Sequence, residues 1–352
     1  MEKERNIINE TTTTISNSKT MEYNNISKSI NEQTVADNNN NTNLDREAFL
    51  LTKKADNKLN PGCCFDTLFT SKKKRLEDGC RLYKNAGDKY KECKQWRKAA
   101  QCYENCSKIK ILLKENPIKF YEETFFCYSK SNSINNAQKV FEKMNNYLVR
   151  EGDYFQAGKN NENLAIKNEN NDNYNQAIIY YSQAAKYYEV DGKHEALKNQ
   201  MQIKIGELML VNNHPEAPSK VPSIMENIAN NYLKSPITKY SAKEFFGKAI
   251  LSSIYYNDDT SVGFTYINKY KSIDKTFEDS SIYTLCCDVD KSVKNNDINS
   301  LKNGIYKYKE ICEVDEFLNN IFNKLEDKIK KVSKSGENEI KDFSIDEEED
   351  FK

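Results

Sequence analysis

The chain has 352 residues, 38% hydrophobic and 30% charged, with 53 basic against 53 acidic side chains; this thin core under a large polar surface suits stacked helix pairs better than a sandwich or a doubly wound sheet. Ser333–Lys352 holds eight acids and three bases, which leaves 50 bases against 45 acids elsewhere, a surplus too dilute to favour nucleic acid. Ten scattered Cys with no CxxC pair, only two His (His194 and His214) and 11 Gly supply neither a standard zinc spacing nor a phosphate-cradling loop.

Met1 to Asn43 is rich in Asn, Thr and Ser, lacks apolar periodicity and reads as a disordered arm. No secretory signal opens the chain, and no apolar run reaches the roughly 20 residues of a membrane span, so a cytoplasmic protein with reduced thiols is expected. Asn43 or Asp45 can cap a first helix with Leu44, Ala48, Leu51 and Ala55 on its apolar face, closed by Pro61 and Gly62. In the following loop, Pro61–Arg75, the cluster Cys63, Cys64, Phe65, Leu68 and Phe69 precedes Lys72, Lys73, Lys74 and Arg75. Two readings fit. The apolar side chains can enter a membrane surface while the bases attract anionic lipid, or Phe65, Leu68 and Phe69 can tuck under the first helix pair. The adjacent thiols also offer acylation sites.

Leu76 to Ile111 carries two helical stripes, one through Cys80, Tyr83, Ala86 and Tyr90, the other through Trp96, Ala99, Ala100 and Tyr103. Tyr121–Lys130 and Asn136–Glu151 continue the array, and Gly152 suits a helix end. Tyr154–Asn168 and Tyr174–Val190 form a further pair about an Asn-rich turn. The segment YNQAIIYYSQAAKYYE (Tyr174–Glu189) has relatives in WRKAAQCY (from Trp96), NAQKVF (from Asn136) and YFQAG (from Tyr154), and Ala99, Ala137 and Ala177 are spaced as two-helix repeats are. Each hairpin of such a solenoid buries its stripe only when its neighbours stack on it. After a helix over Glu195–Asn212, the chain breaks at His214, Pro215 and Pro218, and Pro222 starts the next helix. In KSPITKYSAKEFFGKAIL (Lys234–Leu251) an apolar stripe of Tyr240, Phe245, Phe246, Ala249 and Ile250 leaves Lys239, Lys243 and Lys248 clear of it, which is either a solvated face or a binding one. The closing helix sets Val314, Phe317, Leu318, Ile321, Phe322, Leu325 and Ile329 three and four apart. Beyond Ser333 a polar linker and an acidic tail are expected, with an unusual penultimate Phe351. Walker, GxGxxG, HExxH and GxSxG motifs are missing, so neither an enzyme nor a cofactor is expected.

From REAFLL through LYKNAGDKYKECKQWRKAAQCY and YNQAIIYYSQAAKYYE to KYSAKEFFGKA, these segments in this order resemble the soluble NSF attachment protein family, of the alpha type. The resemblance implies an all-α, TPR-like solenoid of antiparallel hairpins forming a curved, twisted sheet, capped by a C-terminal helical bundle. It organises the chain as the arm to residue 43, a solenoid over 44–238, C-terminal repeats and bundle over 239–332, and an acidic flexible tail over 333–352. It implies an adaptor that binds assembled SNARE four-helix bundles and recruits and stimulates the hexameric ATPase NSF in vesicle fusion and intracellular transport, peripherally on membranes; the alternative is a helical-repeat scaffold of another class, such as a chaperone-tail clamp or coat subunit. In the family's membrane loop one Phe is replaced by Cys64, beside Phe65, Leu68 and Phe69. The SNARE-facing bases correspond to Lys159, Lys204, Lys239 and Lys243, while another basic position is Asp153. Glu348, Glu349 and Asp350 match the acids that meet NSF, and Phe351 takes the place of the family's penultimate Leu.

Overall fold

Short turns that reverse the chain set this architecture. The computed structural model describes residues 41–60 and 71–346, with side chains as far as Val332. Its described residues form fourteen α-helices and no strand. They fall into two compact units, Met1–Arg150 and Glu151–Lys352.

The first unit contains α1 (41–59), α2 (Lys72–Glu92), α3 (Trp96–Leu112), α4 (Ile118–Lys130) and α5 (Ile134–Arg150). Three of its turns use one device. Lys94, Lys114 and Asn132 adopt φ of 59°, 58° and 54°, and the N–H of the next residue reaches back five positions, from Gln95 to the Tyr90 carbonyl (2.8 Å), Glu115 to Lys110 (2.8 Å) and Ser133 to Tyr128 (2.9 Å). A left-handed residue followed by this long bond satisfies orphan carbonyls and stops the helix within a turn. Consecutive helices therefore pack against each other, and helices two apart share a layer. Asp45 of α1 pairs with Lys98 of α3 (2.7 Å), Glu104 of α3 with Lys143 of α5 (3.0 Å), and Lys91 of α2 with Glu123 of α4 (2.6 Å). Alanines Ala48, Ala55, Ala86, Ala99 and Ala100 are fully buried at these crossings, where a small side chain lets two backbones approach.

The second unit contains α6 (Tyr154–Glu169), α7 (Tyr174–Asp191), α8 (Glu195–Val211), α9 (Ala217–Leu233), α10 (Ala242–Tyr256), α11 (Val262–Ile273), α12 (Ser281–Lys294), α13 (Ile298–Ile311) and α14 (Glu316–Asp346), with 3-10 turns at Lys239–Ser241 and Lys275–Asp279. Asp172, Asn213 and Asn296 repeat the left-handed turn with φ of 57°, 49° and 51°, a conformation for which Asn and Asp are the best non-Gly residues. α6 to α10 pack in sequence, and α10 is then enclosed by α9, α11, α12 and α14. One hydrophobic core runs unbroken from Ala165 to Ile329.

Several boundaries differ from the sequence expectation, each for a physical reason. Residues 41–43 are already helical, so Asn43 and Asp45 lie inside α1 and cap nothing; Asp45 serves as the partner of Lys98. The expected loop to Arg75 ends earlier, because the Ser71 side chain accepts the Lys74 N–H (3.2 Å) and starts α2 at Lys72. α9 begins at Ala217, with Pro218 in its first turn, where a missing N–H costs nothing, and Pro222 buried inside the helix. Across residue 238, α9 and α10 pack directly, with the Tyr232 and Phe245 rings edge to face at 5.2 Å. Finally, α14 continues through the expected polar linker to Asp346; Ser333–Asp346 has no Pro and a single Gly, so nothing in it stops a helix whose apolar stripe has ended.

Gly247 shows how tightly α10 is enclosed. A Cβ there would lie 2.1 Å from Ile282 Cγ1 of α12. Gly247→Ala is expected to lose about 1–3 kcal/mol by overpacking. Ile282→Ala removes the clash, so the double variant should unfold at higher urea than the two single losses added together would allow; strict additivity would show that the contact is not limiting.

Candidate functional site

The four lysines singled out by the family resemblance all lie in the second unit, and their surroundings divide them into two pairs. Lys159 sits on α6 beside Gly158, whose missing side chain makes room for the Tyr188 ring of α7; a Cβ would come within 2.6 Å of it. The Tyr188 hydroxyl donates to Glu162 Oε2 (2.6 Å), and Lys159 Nζ donates to Glu162 Oε1 (3.1 Å). Glu162 is buried and its two oxygens are thereby both engaged. Burial, with Glu162 accepting its proton, pushes the Tyr188 phenol well above its ordinary range, so it remains a donor throughout the physiological range. The residue that opens α6, Asp153, accepts the Gln156 N–H (3.1 Å) as a helix cap, which a base at that position could not do.

Lys204 repeats the pattern across two helices. Its ammonium lies 3.3 Å from Glu169 of α6 and 3.2 Å from Glu207 of its own helix, and Glu169 also accepts the Tyr181 hydroxyl. Burial alone would lower this lysine, but Glu207 and Glu169 outweigh it and hold the ammonium above its usual range. Burial pushes Glu207 up against the pull of Lys204. The Lys204–Glu169 pair places α6 and α8 side by side in one layer.

Lys239 and Lys243 are different. Lys239 Nζ stands 5.0 Å from the centroid of the Tyr240 ring, and both side chains are exposed. Lys243 Nζ donates to the Thr276 carbonyl (2.7 Å). Among the described residues neither has a carboxylate partner, and no hydrogen bond or ion pair links this pair to Lys159 or Lys204.

Lys248 corrects the sequence reading. It is not clear of the apolar stripe but buried, because α10 packs against α9, α11, α12 and α14 and leaves only Lys243, Glu244, Tyr255 and Tyr256 partly accessible. Its ammonium is held by Glu244 (2.8 Å) and by Asp315 at the start of α14. The carboxylates around Lys159, Lys204 and Lys248 were the residues that sequence reasoning missed. Two of them, Glu162 and Glu207, stand three positions after their lysine, a spacing that was readable.

Lys72, Lys73 and Lys74 occupy the first turn of α2, which contains no acid. Cys63, Cys64, Phe65, Leu68 and Phe69, the arm up to residue 40, and Glu348, Glu349, Asp350 and Phe351 lie outside the described residues. Among the described residues no cluster of His, Cys, Asp or Glu could hold a metal ion, and no helix is long and apolar enough to cross a membrane.

Tyr188→Phe tests the tyrosine–carboxylate pin. It strips one hydrogen bond from a buried carboxylate and is expected to lower the stability of the second unit by about 1–3 kcal/mol, measured by urea unfolding; an unchanged midpoint would show that Glu162 finds another donor.

A family model described as soluble NSF attachment protein, SNAP, matches residues 46–330. Among curated relatives, the vesicular-fusion protein SEC17 of Komagataella phaffii is 26% identical over 298 residues, covering 84% of this chain and 99% of its own length. The alpha-soluble NSF attachment protein of Homo sapiens is 22% identical over 287 residues, 79% of this chain and 93% of that protein, and its namesake in Vitis vinifera 23% over 280 residues, 79% and 92%.

Proposed function

The chain belongs to the soluble NSF attachment protein family, and on that premise we propose that it is a non-enzymatic adaptor that binds assembled SNARE bundles and delivers them to NSF for disassembly in vesicle fusion. The observation that carries this reading is the family match over residues 46–330 on a helical-hairpin stack whose helices α6, α8 and α10 each present a lysine, Lys159, Lys204 and Lys243. A SNARE bundle with an acidic surface offers the complementary charge, and summed weak contacts of this kind steer and orient a partner while losing strength in salt. Glu348, Glu349, Asp350 and Phe351 are the proposed NSF contact.

Membrane contact by Cys63, Cys64, Phe65, Leu68 and Phe69 is part of the same proposal, and the start of α2 supports it. Three lysines at the positive end of a helix dipole oppose the helix's own electrostatics, an arrangement that an anionic surface compensates. The peripheral, cytoplasmic location follows from this reading.

Reconstitution with NSF, ATP and an assembled SNARE bundle tests the whole. The full chain is expected to retain the bundle at low salt and raise the ATPase rate, and Phe351→Ala to keep bundle binding while losing the stimulation. No bundle binding at low salt would end the proposal.

A further inference from the structure

Two buried cysteines meet where α2 packs on α3. The Cys106 thiol of α3 donates to the main-chain carbonyl of Cys80 on α2 (3.3 Å), and the two thiols also lie within hydrogen-bond reach of each other. Cys106 is fully enclosed, whereas Cys80 keeps 6% of its surface exposed, so a small molecule reaches Cys80 first. Other thiols of this unit have different neighbours. Cys102 meets the Thr52 hydroxyl of α1 (3.7 Å), and Cys93 donates to the Tyr90 carbonyl (3.5 Å).

The surroundings make the two thiols unequal. Donation from Cys106 to the Cys80 sulfur favours the Cys80 thiolate and outweighs burial, and the Lys110 ammonium adds to the effect, so Cys80 lies below the ordinary thiol range. The hydrogen bond shared with Cys80, and then burial, hold Cys106 far above that range. Burial raises Cys102 to about 11 and Cys127 to about 12, which keeps both as unreactive thiols. Lys110 stands one helical turn after Cys106 and pairs with Glu115 (2.5 Å) at the surface. A thiolate favoured by its neighbours, with a second thiol in contact, has the parts of a nucleophilic cysteine and its resolving partner.

We propose that Cys80 and Cys106 form a reversible oxidation site, which a hydroperoxide closes to a disulfide between α2 and α3. The Cys80 thiolate attacks one peroxide oxygen; an S–O bond forms, the O–O bond breaks, and the second oxygen leaves as hydroxide, which takes up the proton that Cys80 released on ionising. The Cys106 sulfur then attacks the sulfur of the Cys80 sulfenic acid; an S–S bond forms, the S–O bond breaks, and the departing hydroxide leaves as water with the Cys106 proton. Two thiols lose two electrons in all, and one hydrogen peroxide becomes two waters. A thiol reductant reverses the reaction by exchange. The bond would tie α3 to the half of α2 that begins at Lys72 and rests on α1, where Gly79 admits the Leu59 side chain; a Cβ there would lie 2.8 Å from Leu59 Cδ2. A cross-link between these positions restricts the unfolded chain and so stabilises the first unit. It involves none of Lys159, Lys204, Lys239 and Lys243, so it stands apart from the proposed SNARE contact.

The test is treatment of the full chain with hydrogen peroxide, then trypsin digestion without reductant and mass spectrometry. Peptides 76–81 and 99–108 joined by a disulfide, two hydrogens lighter than their separate thiol forms, are expected from wild type and from Cys102→Ala, and not from Cys106→Ala. Trp96, the only Trp, belongs to this unit, so its fluorescence follows the unit's unfolding. Oxidation is expected to raise the urea midpoint by about 1 M, and dithiothreitol to return it. Cys106→Ala places at this crossing the residue that α3 already buries at Ala99 and Ala100; it should keep a cooperative transition whose midpoint does not respond to peroxide. Cys80 recovered as a free thiol or as a sulfinic acid without the cross-link, a cross-link that survives Cys106→Ala, or an unmoved midpoint would overturn the proposal.

Discussion

Replacing Glu244 by Gln and Asp315 by Asn together is expected to destabilise the Glu151–Lys352 unit by about 3–5 kcal/mol, whereas Lys248→Met should change its stability by less than about 1 kcal/mol. The asymmetry follows from where the charges sit. The Lys248 side chain is 3% exposed, while those of Glu244 and Asp315 are 46% and 41% exposed. Once the lysine is removed, both carboxylates turn to water at little cost, and Met fills the space against the Phe245 and Phe317 rings that now lie 4.8 and 5.9 Å from the ammonium. Removing the carboxylates instead strands an ammonium in the core.

Asn at position 315 still accepts the Leu318 N–H that Asp315 now accepts (2.9 Å), so the cap on α14 survives and the loss reports charge alone. The triple variant, with Lys248→Met added, should recover most of the stability; failure to recover would mean that the acids act by some route other than Lys248. Trp96, the only Trp, belongs to the other unit, so far-ultraviolet dichroism is the suitable readout. The sign of the pH dependence is also set. Burial lowers this lysine, but Glu244 and Asp315 outweigh it and raise its pKa above the ordinary 10.5. A raised lysine pKa gives stability that is complete at neutral pH and fades only as pH rises beyond that value.

The hairpin stack was legible because it rests on local periodicity. The buried alanines Ala99, Ala137, Ala177 and Ala184 and the stripe from Phe317 to Ile329 fell where spacing put them. The family was legible from ordered segments, and the match over residues 46–330 agrees with it. What was hidden depends on neighbours distant in sequence. Periodicity assigns a helix one apolar face, so Lys248 reads as solvated; only the packing of α10 against four other helices makes it a buried ion. The Glu169–Lys204 pair spans 35 positions and two helices, and no local pattern announces it. Turn chemistry was hidden for another reason, since Lys94 and Lys114 hold left-handed positions that Gly or Asn would have advertised.

Those hidden carboxylates change what is expected of the four candidate lysines. Lys159 and Lys204 are already matched by Glu162, Glu169 and Glu207, so an acidic partner gains little net charge there and must compete with an internal acceptor. Lys239 and Lys243 bring their charge uncompensated. Lys239→Glu with Lys243→Glu should therefore weaken capture of an acidic SNARE bundle about a hundredfold at low ionic strength, because each change both deletes an attraction and adds a like-charge contact. Alanine at Lys159 should cost only a few-fold, as exposed and internally shared ion pairs do. Lys204 is a poor choice for reversal, since a third carboxylate beside Glu169 and Glu207 would disturb the α6–α8 layer itself. The measurement is affinity for the assembled bundle against salt: the double variant should lose most of the salt dependence as well as the affinity. Equal losses on changing either pair would mean that the partner displaces Glu162 and Glu169 on binding, and the division into matched and uncompensated lysines would then have no functional meaning.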